Sequence, residues 1–121
     1  MAVRPQYLAY ILEQLDGIDG LRSRRMFSGV GLYCGELFFG LIHDDTLFFK
    51  TDGSTSADYL ARHMPRFMPS PARPAAVMAY YQVPADVIED SEVLQTWARK
   101  SVAVALASRA LKAAPKKKSS R

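Results

Sequence analysis

Residues 26–51, MFSGVGLYCGELFFGLIHDDTLFFKT, decide the fold. Three runs stand out: MFSGVGLYC (26–34), LFFGLIH (37–43) and TLFFKT (46–51). Each is rich in aromatic and branched residues, which fit a pleated, half-buried surface. Gly35-Glu36 and Asp44-Asp45 separate them, and short polar breaks between such runs read as hairpins. The stretch predicts a three-strand antiparallel meander. A sheet with one wet face would alternate apolar and polar residues, but FFGLI (38–42) is apolar throughout. Strict alternation puts Phe38, Gly40 and Ile42 on one face and Leu37, Phe39 and Leu41 on the other. Both faces therefore need cover. The Pro-rich segment 65–76 offers Phe67, with Met64 and Met68 nearby, for the second face. Another copy of the chain is the favoured cover, so a two-fold homodimer through the sheet or the last helix is expected.

Gly29 and Gly31 raise a separate question. A phosphate loop needs its glycines ahead of a helix N-terminus, where converging amides supply positive charge. Here they lead into LYC and a hairpin, with no Gly-Lys-Ser/Thr. A bulge, or a twisted strand where no Cβ is tolerated, is the better reading. Arg24 and Arg25 just before them would either face an anion or mark a charged strand end.

Outward from this stretch the period changes. Leu8, Ile11, Leu12 and Leu15 recur at helical spacing, which predicts a helix over 5–16 with Pro5 in its first turn and Gly17 at its stop. DGIDGLRSR (16–24) reads as a loop. Residues 55–63 read as a second helix, capped by Ser54 or Thr55, with Tyr59 and Leu60 facing inward. Prolines 65, 69, 71 and 74 exclude regular structure from the next segment. VMAYYQV (77–83) reads as a strand ended by Pro84, and Asp86 with Glu89 has capping-box spacing. A long helix is expected over 91–111, with Leu94, Trp97, Ala98, Ser101 and Ala105 down one side. The order is α-β-β-β-α-β(β)-α. It implies a two-layer α+β fold whose antiparallel sheet is the meander plus one or two further strands.

Catalytic chemistry is not evident. His43 and His63 lie twenty residues apart, and His43-Asp44-Asp45 falls on a turn where Asp is wanted anyway. No HxxxH or CxxC spacing suggests a metal. The single cysteine, Cys34, excludes an internal disulfide and reads as a small buried hydrophobe. No cofactor is implied.

The chain has 121 residues and a net charge of +4. Lys112, Lys116, Lys117, Lys118 and Arg121 account for the excess. Without them, residues 1–111 hold 11 basic against 12 acidic residues, a net of −1. The sequence therefore divides into a single domain over 1–111 and a disordered basic tail over 112–121. The tail reads either as a solubilising end, the favoured reading, or as an arm that would attract nucleic acid weakly and without sequence preference. No long apolar run suggests a membrane span or a secretory signal, so a cytoplasmic protein is expected.

Taken together, these residues resemble a known family. Met26, Phe27, Gly29, Gly31, Leu32 and Tyr33, then Lys50 and Asp52, then Tyr80, Tyr81, Val83 and Pro84, and finally Trp97 match the N-terminal domain of the TfoX/Sxy family. Ser28 stands where that pattern usually has a first glycine. The resemblance covers residues 5 to 110. It implies a two-layer α/β unit like the type III secretion chaperones, and a role in competence gene regulation. Family members act as coactivators with the cyclic-AMP receptor protein. Larger members carry a C-terminal helical domain, in whose place a lysine-rich segment stands here, so a stand-alone module is expected. None of the matched residues forms a catalytic set. The expected function is that of a non-enzymatic regulatory, protein-interaction module. The alternatives are a nucleic-acid accessory protein acting through its tail, and a small enzyme of undescribed type.

Overall fold

The structure, a computed structural model, describes residues 3–26, 29–67 and 79–119, with side chains described as far as residue 110. Its elements are α1 (Pro5–Gln14), β1 (Leu21–Met26), β2 (Gly29–Cys34), β3 (Leu37–His43), β4 (Thr46–Lys50), α2 (Ser56–Leu60), β5 (Tyr80–Gln82), α3 (Ala85–Glu89) and α4 (Ser91–Ser119). The strands form one antiparallel sheet in the order β1-β2-β3-β4-β5. The fold is α+β, as its sequence implies.

The central meander is the expected one, with an addition at its front. LRSRRM forms β1, where the sequence predicts a loop as far as Arg24. This strand is polar because it lies at the edge: Arg22, Ser23, Arg24 and Arg25 are all exposed. Its apolar ends alone carry no period-2 signal, so only pairing with β2 reveals it. At the other end, β5 is shorter than the predicted 77–83. Val77 and Met78 lie outside the described residues, as do Phe27, Ser28 and Met68.

The β3–β4 turn behaves as its residues require. Asp44 and Asp45 both have φ +56°, the left-handed pair that a tight two-residue hairpin needs and that Asp tolerates. Asp45 also fastens the N-terminus, since Arg4 donates to its carboxylate from the backbone N–H (2.9 Å) and from Nε (2.6 Å). That donation holds the Asp45 carboxyl below its usual range.

One irregularity sets the packing. Leu32 of β2 faces Gly40, but Tyr33 faces Phe38, so Phe39 is an inserted residue on β3. A bulge of this kind shifts the alternation by one. Strict alternation therefore fails on β3. Phe39 joins Ile42 beneath the helices, and Phe38 joins Leu41 on the opposite face.

The main core lies between the sheet and the helices. Ile11 and Leu15 from the first helical segment, Val30, Leu32, Phe39, Ile42, Leu47 and Phe49 from the sheet, and Leu94 and Ala98 from α4 are buried there. Leu8 and Leu12 pack at its margin. Helix α4 lies across β3 and β4. Its buried stripe of Ala98, Ser101 and Ala105 presents small side chains to them. Ser101 is 2% exposed, and its hydroxyl donates to the Lys50 carbonyl at 2.8 Å.

The helix caps differ from expectation. Asp52, not Ser54 or Thr55, organises the start of α2. Its Oδ1 accepts from the Ser54 and Thr55 backbone N–H groups, both at 2.9 Å, while the Thr55 hydroxyl accepts from the Asp52 N–H at 3.0 Å. Tyr59 points inward as expected, but Leu60 is 54% exposed, because α2 ends there and turns away. The N-cap of α3 is Pro84, which offers no side-chain cap, and Asp86 takes Arg62 in a two-bond ion pair at 2.8 and 3.0 Å. Asp90, at the entry to α4, accepts from the Val93 N–H at 3.3 Å. Helix α4 continues to Ser119 rather than ending near Leu111. Lys112, Lys116, Lys117, Lys118 and Arg121 lie beyond the described side chains.

Candidate interaction surface

The second face of the sheet is built from residues that alternate away from the helices. Cross-strand partners share a face. The register therefore places Arg22, Arg24 and Met26 of β1, Gly29, Gly31 and Tyr33 of β2, Leu41 and His43 of β3, Phe48 of β4 and Tyr80 of β5 on it. An aromatic chain crosses the lower half. Tyr33 meets Phe38 at 5.2 Å between centroids, Phe38 meets Tyr80 at 5.7 Å, and the Lys50 ammonium sits 5.3 Å over the Tyr80 ring. Aromatic and cation–π contacts at these distances are attractive. Burial, aided by the neighbouring Tyr33, pushes the Tyr80 hydroxyl well above its ordinary pKa.

Phe67 covers the upper half. Its backbone N–H donates to the Tyr80 carbonyl at 2.7 Å, and Gln82 N–H donates to Pro65 at 3.0 Å. The start of the Pro-rich segment thus pairs along β5. The Phe67 ring lies 4.9 Å from Phe48 and 5.5 Å from His43. Met64 does not share this role, because it packs against the helix-side core. With Phe67 in place, Leu41, Phe48 and Tyr80 are already buried within one chain.

Gly29 and Gly31 have no helix after them. They stand on β2 where neighbouring atoms leave no room: a Cβ on Gly29 would meet the Ile42 carbonyl, and one on Gly31 would meet the Met26 methyl at 2.7 Å and the Phe38 ring at 3.0 Å. Met26 occupies the space over Gly31 that a side chain would fill. A Cβ has no room at either position.

The remaining motif residues sort by face. Leu32 and Val83 are buried in the helix-side core, and Tyr81 packs against it. Trp97 is half-buried and packs edge-on against Tyr59 at 4.8 Å, with Arg62 5.8 Å over its ring. Lys50 and Asp52 are the end of β4 and the organiser of α2. Pro84 precedes the first residue of α3. Cys34 is half-buried, and its thiol donates to the Asp19 carbonyl at 3.2 Å.

Elsewhere, an open cleft of about 240 Å³ lies between the start of β3 and α4, lined by Glu36, Phe38, Lys50, Ala105 and Arg109 among others. These residues are far apart in sequence, which hid their proximity. They bring mixed charges, with the Ser108 side chain beside them, over an apolar floor. Among the described residues, no three His, Cys, Asp or Glu side chains gather as metal ligands. No described helix is long and apolar enough to cross a membrane.

A five-strand antiparallel meander with helices on one face and an aromatic second face defines a small two-layer α+β module. The chain belongs to the TfoX N-terminal domain family, whose pattern matches residues 13–105. No curated protein matches it.

Proposed function

We propose that this chain is a non-enzymatic regulatory module of the competence type, a coactivator that acts in the cytoplasm through a protein partner near the transcription machinery. Family membership over residues 13–105 carries this reading. The placement of half-buried Met26 and Tyr33 on the sheet face away from the helices supports it, because those motif side chains lie outside the main core. A net charge of −1 over residues 1–111 disfavours a groove-reading DNA binder. The family resemblance points to a DNA-binding regulator of the cyclic-AMP receptor type as the partner.

The test mixes the purified chain with such a receptor and a promoter fragment that the receptor occupies. The expected result is a slower-migrating complex or higher receptor occupancy, both requiring the receptor. Sequence-specific binding of the promoter by the chain alone, or no effect on the receptor–promoter complex, would overturn the reading.

A further inference from the structure

The two edges of the sheet are treated differently. On β5 the outward backbone groups of Tyr80 and Gln82 are bonded to Phe67 and Pro65. On β1 no such partner exists among the described residues, and β1 is the terminal strand of the sheet. Which of its groups point outward follows from the ladder. Gly35 N–H donates to the Gly20 carbonyl at 2.8 Å, so Gly20 and Gly35 face each other as a bonded pair. Bonded and non-bonded pairs alternate in an antiparallel ladder. Arg22–Tyr33 and Arg24–Gly31 are then bonded, whereas Ser23–Leu32 and Arg25–Val30 are not. Ser23 and Arg25 therefore turn their N–H and C=O groups out from the sheet.

The same strand carries three arginines and no acidic residue. Arg22 donates to the Gly35 carbonyl at 3.1 Å. Arg24 and Arg25 are exposed, and neither has an ion-pair partner among the described residues. Alternation sends Arg22 and Arg24 to one face and Arg25 to the other, so the cations straddle the edge. A nucleic-acid backbone calls for cations gathered on one surface. A second copy of β1 would set arginine against arginine. An extended segment with acidic side chains satisfies both the open backbone groups and the charges.

We propose that β1 is a strand-addition site, with the open backbone of Ser23 and Arg25 pairing with an acidic, extended segment of a partner protein and Arg22, Arg24 and Arg25 binding its carboxylates. This deepens the reading of the chain as a protein-binding module and rests on it.

The probe is a short synthetic peptide alternating glutamate with valine, titrated by fluorescence anisotropy against the full chain. Ser23→Pro removes one outward N–H while leaving the bonded pairs with β2 intact, a position where an edge strand accepts proline. It is expected to weaken binding about tenfold, as is Arg24→Ala, while Ser23→Ala has little effect. Bound peptide is also expected to slow amide exchange at Ser23 and Arg25. Circular dichroism checks the fold, and Arg25→Pro at the other outward position replaces Ser23→Pro if that variant does not fold. No binding at millimolar peptide overturns the proposal, as does binding indifferent to a folded proline variant. Competition by a DNA oligonucleotide that is lost in Arg24→Ala and kept in Ser23→Pro assigns the arginines to phosphate and overturns it too. A chain dimer that Ser23→Pro dissociates gives the edge to a second copy, with the same consequence. If the peptide fails while the receptor–promoter effect persists, β1 is excluded and the regulatory reading stands.

Discussion

A Cβ on Gly29 would sit 2.6 Å from the carbonyl oxygen of Ile42 on the neighbouring strand. The obstacle is backbone, which cannot swing aside as a side chain can. Gly29→Ala is therefore expected to cost about 1–3 kcal/mol, the usual range for overpacking. Gly53→Ala, where a Cβ meets open space, serves as the control and should stay within about 0.5 kcal/mol of wild type. Urea melts of both variants check this. A Gly29→Ala melt equal to that of the control would show that β2 and β3 separate easily there.

Trp97 joins α4 to α2 through Tyr59 and packs at the margin of the main core. It is half-buried, so Trp97→Ala should cost about 2 kcal/mol, below the roughly 3–5 kcal/mol of a fully buried aromatic. Phe39→Ala, at a fully buried bulge position, should reach that higher range. Equal losses in a chemical melt would contradict the difference in burial.

Much of this fold was legible because strong local signals agree with it. Pro5 and the Leu8–Leu15 stripe specify α1, and Asp44-Asp45 specify the hairpin. Two features were not legible for physical reasons. Strand β1 is an edge, and an exposed edge has no apolar face to repeat. The bulge at Phe39 depends on pairing with Leu32 and Tyr33, which no local pattern encodes, so faces assigned by alternation came out mixed. The open edge carrying Arg24 and Arg25 was not legible, since its strand was itself invisible. Arg62 pairs with Asp86, and Glu36 and Arg109 line one cleft, only through tertiary packing.

Acid should loosen the molecule at surface carboxyls that include Asp52 and Asp45. Thr55 and Ser54 donate to Asp52, and Arg4 donates to Asp45. Both carboxyls are held below their ordinary pKa, with the backbone hydrogen bonds as the leading causes. A folded value below the unfolded one means that the unfolded chain binds more protons in that window. These contacts therefore stabilise fully above the unfolded carboxylate pKa of about 4, and are lost as pH falls through the lower folded values. Melting temperature should fall on acidification below about pH 4. The fall should be shallower in Asp52→Asn, which no longer titrates there. An equally steep fall in that variant would remove Asp52 from the account.

Affinity for DNA, where it occurs, is expected to reside in Lys112, Lys116, Lys117, Lys118 and Arg121. It should be weak and indifferent to sequence. With five charges engaged on duplex DNA, the logarithm of affinity should fall against the logarithm of salt with a slope of about 4 to 5. Deleting residues 112–121 should abolish it without shifting the melt, since among the described side chains the buried positions of α4 run from Leu94 to Ala105. Sequence-specific binding that survives the deletion would return the arginines of β1 to consideration as phosphate ligands.

Self-association is the last expectation, and the structure changes where it should occur. The sheet's second face does not require another copy, because Leu41, Phe48 and Tyr80 are buried in the single chain with Phe67 packed against them. Helix α4 keeps an exposed apolar position at Leu106, which is 56% exposed one turn beyond half-buried Val102. We propose that the homodimer forms through this face of α4, about a two-fold axis, since a symmetric pair places the same patch of each copy in contact. Sedimentation at micromolar concentration should then give a dimer mass. Leu106→Glu would set two carboxylates against each other at the axis, so that variant should sediment as a monomer with an unchanged melt. A monomer mass for the unaltered chain would sink the dimer, and a dimer that persists in Leu106→Glu would move the contact away from α4.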